Sequence, residues 1–156
     1  DLELQTPSFV AELEEAAATA GVPATLLAAV AKQESRFSPG VSSGAGAVGL
    51  LQLMPATAAE LAGTPLAADD LTDPARNAQL GALYLKQLLG QWRGNPVLVA
   101  ASYNAGPGAS AGWVTPQLQQ EPELWIEAIP YPETRLYAKE VLGNLWSCQQ
   151  RPLTSC

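Results

Sequence analysis

The chain has 156 residues, of which 47% are hydrophobic, and a formal net charge of −7 from 15 acidic and 8 basic side chains. This composition suits one packed domain and excludes a disordered chain. The shortage of basic residues excludes nucleic-acid binding through phosphate neutralisation. The chain contains no histidine, which excludes a Ser-His-Asp or Cys-His nucleophile and a His-ligated metal. We therefore expect no metal and no cofactor.

Alanine and leucine, both good helix formers, supply most of the apolar residues, so we predict an all-α fold. Proline favours the first position of a helix and glycine the residue after its last turn. These signals predict helices from Thr6-Pro7 to Gly21, from Pro23 to before Ser38, from Pro55 to near Gly63, from Asp73-Pro74 through Leu80, Tyr84 and Leu88, from Asn95-Pro96 to Gly106, from Pro122 around Trp125, and from Pro132 to about Trp146. The stretches 40–49 and 107–122 are predicted to be irregular.

We predict that residues 1–156 form a single monomeric domain, with a motif-bearing core at about residues 8–146 and a short tail at 147–156. The longest apolar run, Leu26 to Ala31, is far shorter than the roughly 20 residues that cross a bilayer. We therefore expect no membrane-spanning segment in this chain. The sequence opens at Asp1 with no basic and apolar leader, which leaves the compartment undecided.

A glutamate occupies an unusual position in the second predicted helix. Leu27 and Val30 mark the apolar face of this helix, and Glu34 falls on the same face. Desolvation there would raise the pKa of the carboxyl group and make it a general acid near neutral pH. Periodicity alone favours the alternative, in which Glu34 lies at the frayed helix end and pairs with Lys32 or Arg36.

The next acidic residue after Glu34 is Glu60. Retaining and inverting glycosidases both use a second carboxylate near the catalytic acid. No such partner is available locally in the sequence. A glycosidase-like reaction here would therefore use one carboxyl group and rely on the substrate for the rest.

Four sequence blocks carry the chemistry: ESRF at 34–37, GAVGLLQLMP at 46–55, SYNAGPG at 102–108 and IPYPETRLY at 129–137. In these blocks, and over about residues 8–146, the chain resembles the soluble lytic transglycosylase (SLT) family of goose-type-lysozyme-like domains. Leu51 stands where methionine is usual, which is a volume-conserving change. Residues 109–111 stand where a basic residue is frequent, so we expect a substrate contact to be missing there.

The resemblance implies a lysozyme-like helical fold and cleavage of the β-1,4 bond between N-acetylmuramic acid and N-acetylglucosamine in peptidoglycan glycan strands. Glu34 matches the catalytic acid of the family, which protonates the departing glycosidic oxygen while the substrate's 2-acetamido group stabilises the anomeric carbon. The resulting carboxylate takes the proton of the muramoyl C6 hydroxyl, and a 1,6-anhydro ring closes. One carboxyl group acting first as acid and then as base fits the lack of a local second carboxylate.

The second and third blocks supply candidate substrate-binding residues. The resemblance assigns Gln52 to a sugar-binding position and Met54 to an apolar contact lining the groove. It places the hydroxyl of Tyr103 near the catalytic carboxyl group and makes Asn104 a nearby polar contact. The structural alternatives are a surface glutamine, a core methionine and a buried tyrosine before a left-handed helix cap at Gly106.

The fourth block contributes a second glutamate. Glu133 lies in the first turn of the last predicted helix, where the helix dipole favours a carboxylate. It also shares the predicted packed face with Tyr137 and Val141. In the family this glutamate binds amide or hydroxyl groups of the substrate. We expect Ser35 and Tyr137 to orient Glu34 or its neighbours through hydrogen bonds.

The cysteines, Cys148 and Cys156, are close in sequence. They predict a disulfide that closes a short tail loop in an oxidising compartment, with two free thiols as the alternative. The family substrate and this pair together predict a bacterial periplasmic or cell-envelope location, where envelope machinery is a candidate partner. Of the tryptophans, which could stack on sugars, Trp92 and Trp146 lie on apolar helix faces and are predicted to be core residues.

Three functions compete: a lytic transglycosylase, a water-using lysozyme-type hydrolase and a non-catalytic wall-binding or assembly module. The lack of a local second carboxylate argues against the hydrolase. The intact set of Glu34, Gln52, Tyr103 and Glu133 argues against the module, because a module without catalysis has no need for a buried acid.

Overall fold

The computed structural model describes residues 9–113, 115–116, 120–121 and 126–156. The predictions at Thr6-Pro7, Pro122 and Trp125 lie outside these ranges. Within them the structure is helical, and the all-α prediction is confirmed. The helices are α1 (Val10–Ala20), α2 (Ala24–Ser35), α3 (Pro55–Ala62), α4 (Ala68–Thr72), α5 (Pro74–Gln91), α6 (Pro96–Ala105), α7 (Pro107–Ala111) and α8 (Pro132–Gln150), with a 3-10 turn at Leu153–Ser155.

Proline and glycine set most helix boundaries as predicted. Pro55 and Pro96 begin α3 and α6. The Asn95 side chain caps α6 by accepting hydrogen bonds from two amides of its first turn, at 3.0 and 3.3 Å. Gly21 and Gly63 end α1 and α3 in the left-handed region, with φ of 76° and 73°. Among the described helices, none is both long and apolar enough to cross a membrane.

The structure adds one short helix that was not predicted and corrects one prediction of irregular chain. Helix α4 forms where no helix was predicted, with the Asp70 carboxylate accepting a 2.9 Å hydrogen bond from the amide of Ala67 at its start. Helix α7 occupies the beginning of the stretch 107–122, with Pro107 in its first turn. Both helices are only five residues long, which is too short to show hydrophobic periodicity in the sequence.

The last helix is longer than predicted, and the prediction for one of its tryptophans is wrong. Helix α8 continues to Gln150 rather than ending near Trp146. Trp146 is 67% exposed and is not a core residue. The buried face of α8 contains Tyr137, Val141 and Cys148, and at 100° per residue Trp146 lies well off that face.

The chain divides into two compact units, one with the described residues up to Lys86 and Asn144–Cys156, the other with those of Gln87–Gly143. In the first unit α1 packs against α2, and every residue from Leu26 to Ala31 is at most 4% exposed. The other fully buried side chains of this unit include Leu13, Leu50, Leu51, Leu80 and Leu85. In the second unit they include Leu88, Val99, Ile129 and Val141. The single domain stays a prediction.

The C-terminal tail belongs to the first unit and is attached to α2. Cys148 and Cys156 form a disulfide, with Cα atoms 4.7 Å apart. The Lys32 ammonium donates a 2.6 Å hydrogen bond to the carbonyl oxygen of Cys156. The Asn144 side-chain amide donates to the carbonyl oxygen of Ala29 at 3.2 Å. The tail therefore contacts the helix that carries Glu34.

Candidate active site

Glu34 lies in the last turn of α2, one residue before the helix ends, and its side chain is half-buried. Leu27 and Val30, which precede it on the same face, are completely buried. The glutamate therefore stands where the apolar face of α2 meets solvent. A general acid needs this position, because it must be partly desolvated and still reach a substrate. Lys32, one of the cations considered as its partner, donates to the tail carbonyl described above.

The backbone after Glu34 is conformationally unusual. Arg36 and Phe37 have φ of 51° and 63°, and Gln52 has φ of 47°. Among the described residues, the only other non-glycine residue with positive φ is Arg93. Such conformations cost about 1–2 kcal/mol each and persist where the surroundings over-determine them, often at functional sites. Two of the sequence blocks, 34–37 and 46–55, therefore contain most of this strain.

The loop between α2 and α3 is folded back on itself. Val48 pairs in antiparallel bridges with both Ser42 and Leu53. The amides and carbonyls of Val48 and Leu53 exchange hydrogen bonds of 2.9 and 3.0 Å. The predicted irregular stretch 40–49 thus has a defined backbone, and it leads directly into the Gln52 position.

Ser35 connects the end of α2 to this loop. Its buried hydroxyl group donates to the carbonyl oxygen of Leu50 at 2.8 Å, with the carbonyl oxygen of Ala31 at 3.2 Å. The carbonyl of Leu50 lies two residues before Gln52, so one hydrogen bond links the Glu34 segment to the Gln52 segment. The contact is made to backbone atoms, and the orientation of Glu34 by Ser35 stays a prediction.

Gln52 uses its side chain to brace the loop. The side-chain amide nitrogen donates to the carbonyl oxygens of Val41 and Gly49, at 2.9 and 3.0 Å. These two bonds occupy both hydrogens of the amide, so the group that remains for a ligand is the carboxamide oxygen. Two residues later, Met54 is 44% exposed and precedes α3. It is therefore a surface methionine and not a core one.

Asn77, on α5, binds the backbone of this loop through its side chain. This residue was not identified from the sequence. It is completely buried. Its side-chain oxygen accepts from the amide of Leu51 at 2.8 Å, and its nitrogen donates to the carbonyls of Val48 and Leu71 at 2.9 Å each. Gly49 lies against this side chain with φ of 85°, and a Cβ atom there would overlap Asn77 and the Leu71 carbonyl.

Gly81, one helical turn after Asn77, receives the side chain of Leu51. A Cβ atom at Gly81 would overlap Cγ and Cβ of Leu51, which is itself completely buried. Asn77 and Gly81 lie at i and i+4 and therefore on one face of α5. This face accepts both the backbone and one side chain of the loop. An asparagine and a glycine inside a helix are each unfavourable for helix stability, and that is the sequence signal that could have identified them.

The second unit brings together the third and fourth sequence blocks. Tyr103 and Asn104 lie in the last turn of α6 and are half-buried. The hydroxyl group of Thr134, a buried residue in the first turn of α8, donates to the side-chain oxygen of Asn104 at 2.7 Å. Thr134 was not singled out by sequence reasoning, although it stands next to Glu133.

Glu133 is exposed in the first turn of α8, so its predicted place on the packed face is wrong. Tyr137, one turn later, is buried at 6% exposure. The residue that faces inward in the first turn is instead Thr134, at 3% exposure. The position of Glu133 is the one that a helix dipole favours for a carboxylate, and its exposure makes it accessible to a ligand.

The turn that precedes α8 is held by side chains of the second unit. The guanidinium group of Arg135 donates to the carbonyl oxygen of Ile129 at 2.8 and 3.3 Å. Trp113 and Tyr131 contact each other edge to face, with ring centroids 5.1 Å apart. Trp92 is half-buried and donates its indole N–H to the Ser102 hydroxyl at 2.8 Å.

Two side chains have shifted pKa values with clear causes. Burial raises the pKa of Tyr84 above its usual value of 10.0. A hydrogen bond from Lys139, followed by the charge of the same group, lowers the pKa of Glu127, and this exposed pair belongs to the second unit. Over the ranges that the structure describes, no group of three or more acidic or cysteine side chains could hold a metal ion.

Comparison with known sequences identifies one family. The family model for the transglycosylase SLT domain matches residues 12–126. The soluble lytic murein transglycosylase of Escherichia coli strain K12 is 36% identical over 128 residues, which cover 78% of this chain and 20% of that protein. The putative soluble lytic murein transglycosylase of Haemophilus influenzae is 35% identical over 148 residues, covering 91% of this chain and 25% of that protein. The chain thus spans between a fifth and a quarter of the length of these relatives.

Solved structures agree with the sequence matches. An inactive glutamate-to-glutamine mutant of the lytic transglycosylase Slt from Pseudomonas aeruginosa has a TM-score of 0.86 and 38% identity, over 99% of this chain and 27% of that one. The 70 kDa soluble lytic transglycosylase of Escherichia coli has a TM-score of 0.81 and 29% identity, over 93% of this chain and 25% of that one.

Proposed function

Because the chain belongs to the transglycosylase SLT domain family, we propose that it cleaves peptidoglycan glycan strands as a lytic transglycosylase, with Glu34 as its single acid/base catalyst. The observation that carries this proposal is the position of Glu34. It is half-buried at the end of a buried helix, and the neighbouring Ser35 binds the loop that contains Gln52. An isolated surface glutamate would need neither feature.

The proposed reaction uses one carboxyl group twice. Protonated Glu34 gives its proton to the glycosidic oxygen as the bond from the muramoyl anomeric carbon breaks, and the substrate's 2-acetamido group stabilises that carbon. The Glu34 carboxylate then takes the proton of the muramoyl C6 hydroxyl, whose oxygen bonds to the anomeric carbon. The carboxyl group ends the cycle protonated, and no water is consumed. An intramolecular acceptor is favoured by its high effective concentration.

Substrate contacts are proposed from both units, each considered separately. In the first unit, the carboxamide oxygen of Gln52 accepts from a sugar amide or hydroxyl group, and exposed Met54 packs on a sugar ring. In the second unit, Tyr103, Asn104 and exposed Glu133 are proposed to contact the substrate. These assignments follow the family positions. They are supported by the exposure of Met54 and Glu133. The carboxamide oxygen of Gln52 also supports them, because it is the polar atom left for a ligand once the amide nitrogen binds the loop.

Ser35 and Tyr137 are proposed to act indirectly. Both are buried, and the Ser35 hydroxyl contacts the backbone carbonyls of Ala31 and Leu50. We propose that Ser35 sets the distance between the Glu34 and Gln52 segments, and that Tyr137 orients polar groups around it.

We also propose where the protein acts and how it is organised. The Cys148–Cys156 disulfide is typical of an oxidising compartment, which supports a periplasmic or cell-envelope location in a bacterium. The names of the Escherichia coli and Haemophilus influenzae relatives describe them as murein transglycosylases. We further propose that residues 1–156 act as one catalytic domain and as a monomer, with envelope machinery as a candidate partner.

The end group of the products tests the proposed function. Purified sacculi are digested in oxygen-18 water, and the released muropeptides are analysed by mass spectrometry. The proposal expects 1,6-anhydro-muramoyl ends, lighter by one water than hydrolytic products, without incorporated label. Label in the new termini of most products would mean hydrolysis by a lysozyme-type enzyme. Intact sacculi that nevertheless retain the protein would mean a wall-binding module.

A further inference from the structure

Asn77 lies outside the four sequence blocks, yet its side chain contacts the backbone of the block that contains Gln52. We propose that Asn77 is a positioning residue for catalysis, which holds the 48–52 loop in the geometry that the reaction needs. This inference rests on the proposed function, because it assigns Asn77 a part in the turnover of glycan strands. All of the contacts that support it lie within the first unit.

The polar atoms of the Asn77 side chain all bind the loop or its surroundings. The side chain is completely buried. Its oxygen accepts from the Leu51 amide at 2.8 Å, and its nitrogen donates to the carbonyls of Val48 and Leu71 at 2.9 Å. An amide side chain has two donor hydrogens and an acceptor oxygen, and all of these functions are used here. No apolar residue could replace it without leaving buried backbone groups unsatisfied.

The loop is packed so tightly against α5 that it cannot move closer to Asn77. Gly49 touches the Asn77 side chain so closely that a Cβ atom would overlap it. One turn further along the same face of α5, Leu51 fills the space above Gly81, where a Cβ atom would overlap as well. The loop is therefore pressed onto α5 at two adjacent points. Its backbone has little freedom between them.

A hydrogen bond from Ser35 connects the loop to the catalytic segment. Two adjacent residues of the loop are each held by a different side chain. Asn77 binds the amide of Leu51, and Ser35 binds the carbonyl of Leu50 at 2.8 Å. Ser35 directly follows Glu34. Gln52 follows Leu51 with a left-handed backbone, φ 47°. Asn77 therefore binds the residue that directly precedes Gln52. Two hydrogen bonds, one made by Asn77 and one made by Ser35, connect it to the segment that carries Glu34. A displacement of about 1 Å in a catalytic geometry can cost about 100-fold in rate.

The test compares three variants in folded protein: Asn77→Ala, Asn77→Asp and Leu85→Ala. Leu85 is a completely buried residue of the same helix, about 12 Å further along its axis, and serves as a control for core destabilisation. Turnover is measured on soluble glycan strands well below each unfolding transition, and kcat and KM are separated. Amide hydrogen exchange at Leu51 reports on the loop without any need for activity.

We expect Asn77→Ala to lose roughly 10- to 100-fold in kcat/KM, mainly in kcat, because misplaced catalytic groups raise the barrier. The Leu51 amide should exchange at least tenfold faster, beyond what the change in global stability explains. Asn77→Asp keeps the acceptor for the Leu51 amide and, as the neutral acid that a buried site beside two carbonyl oxygens favours, one of the two donors. If the alanine variant does not fold, the aspartate variant is measured in its place. We expect it to lose less kcat than the alanine variant and to keep the Leu51 amide largely protected from exchange. Leu85→Ala should keep kcat/KM within twofold of wild type.

Three outcomes would overturn the inference. Wild-type kcat in both folded Asn77 variants would show that the loop needs no such anchor. Unchanged Leu51 exchange in Asn77→Ala would show that the hydrogen bond does not hold the loop. An equal loss in Leu85→Ala would assign the effect to stability. A wild-type protein that leaves glycan strands intact would instead refute the proposed function and the catalytic role with it, whereas exchange at Leu51 would still decide whether Asn77 holds the loop.

Discussion

Replacing Gly49 with alanine perturbs the loop at its tightest contact. Gly49 has φ of 85°, and an added Cβ atom would overlap the Asn77 side chain and the Leu71 carbonyl. The Leu71 carbonyl belongs to backbone in α4 and cannot swing aside. The loop or Asn77 must therefore move.

The size of the effect follows from two contributions. An L-residue in the left-handed region costs about 1–2 kcal/mol. Displacing Asn77 would weaken up to three hydrogen bonds, each contributing about 1 kcal/mol, and would leave buried backbone groups unsatisfied. Together these contributions predict a loss of roughly 3–5 kcal/mol in the free energy of unfolding, a large part of the total of about 5–15 kcal/mol typical of a domain.

Gly46→Ala is the matched control. Gly46 has φ of 98°, but an added Cβ atom meets nothing within 4 Å, so only the backbone contribution of about 1–2 kcal/mol remains. Both variants are unfolded in urea and followed by circular dichroism, and the midpoints and slopes are compared with wild type. Equal losses in the two variants would refute the close packing of Gly49 against Asn77.

The remaining predictions concern the helices, the tail and one phenol. Gly81→Ala should destabilise by about 1–3 kcal/mol through overpacking, whereas Gly143→Ala, with open space around it, should stabilise by about 0.5–1 kcal/mol; denaturant unfolding that gives both the same sign would contradict this. Reducing Cys148–Cys156 should lower the unfolding free energy by about 2–3 kcal/mol in the loop-entropy treatment of its separation of 8, while folded reduced protein stays active on sacculi. The pKa of Tyr84, followed by ultraviolet absorbance, should lie above 10.0. Because its folded pKa is raised, its stabilising contribution is complete below pH 10 and is lost as the pH rises through the folded pKa. An unchanged alkaline titration in Tyr84→Phe would contradict the assignment.

Much of the fold could be predicted because proline and glycine act locally. Pro55, Pro96, Gly21 and Gly63 each favour a helix boundary through their own backbone preferences, and each boundary was found there. Helix α4 could not be predicted in this way, because five residues are too few for a periodic pattern. It is fixed instead by its own acidic cap and by the loop packed against it.

The faces of α8 show where periodicity fails. Glu133 shares helical spacing with Tyr137 and Val141, and this spacing predicted a buried position. In the structure Thr134 takes that place and Glu133 is exposed, because the helix has just begun and its first turn is partly open to solvent. Trp146 is likewise exposed. Its exposure could not be predicted, because large apolar side chains at a surface carry no distinct sequence signal.

The candidate site was only partly visible in the sequence. Glu34 and Ser35 belong to a recognisable block, and their positions at the end of α2 could be anticipated. Asn77 and Gly81 are separated from their contacts in the loop by more than 25 residues, and nothing local in the sequence connects them to the loop. Tertiary contacts of this kind depend on the register between α5 and the loop, which a single sequence does not specify.

The most direct test of the central claim is the activity of Glu34→Gln. Glutamine is nearly isosteric with glutamate, so the variant should keep its circular dichroism spectrum and its binding to glycan strands. Glu60→Gln, at the next carboxylate along the chain and exposed on α3, is the control and should retain wild-type turnover. Because general acid–base catalysis contributes about 10²- to 10⁴-fold, and here one group performs both steps, the account predicts that release of anhydro-muropeptides by Glu34→Gln falls by about 10³-fold or more. Substantial release of anhydro-muropeptides by a folded Glu34→Gln protein would contradict it.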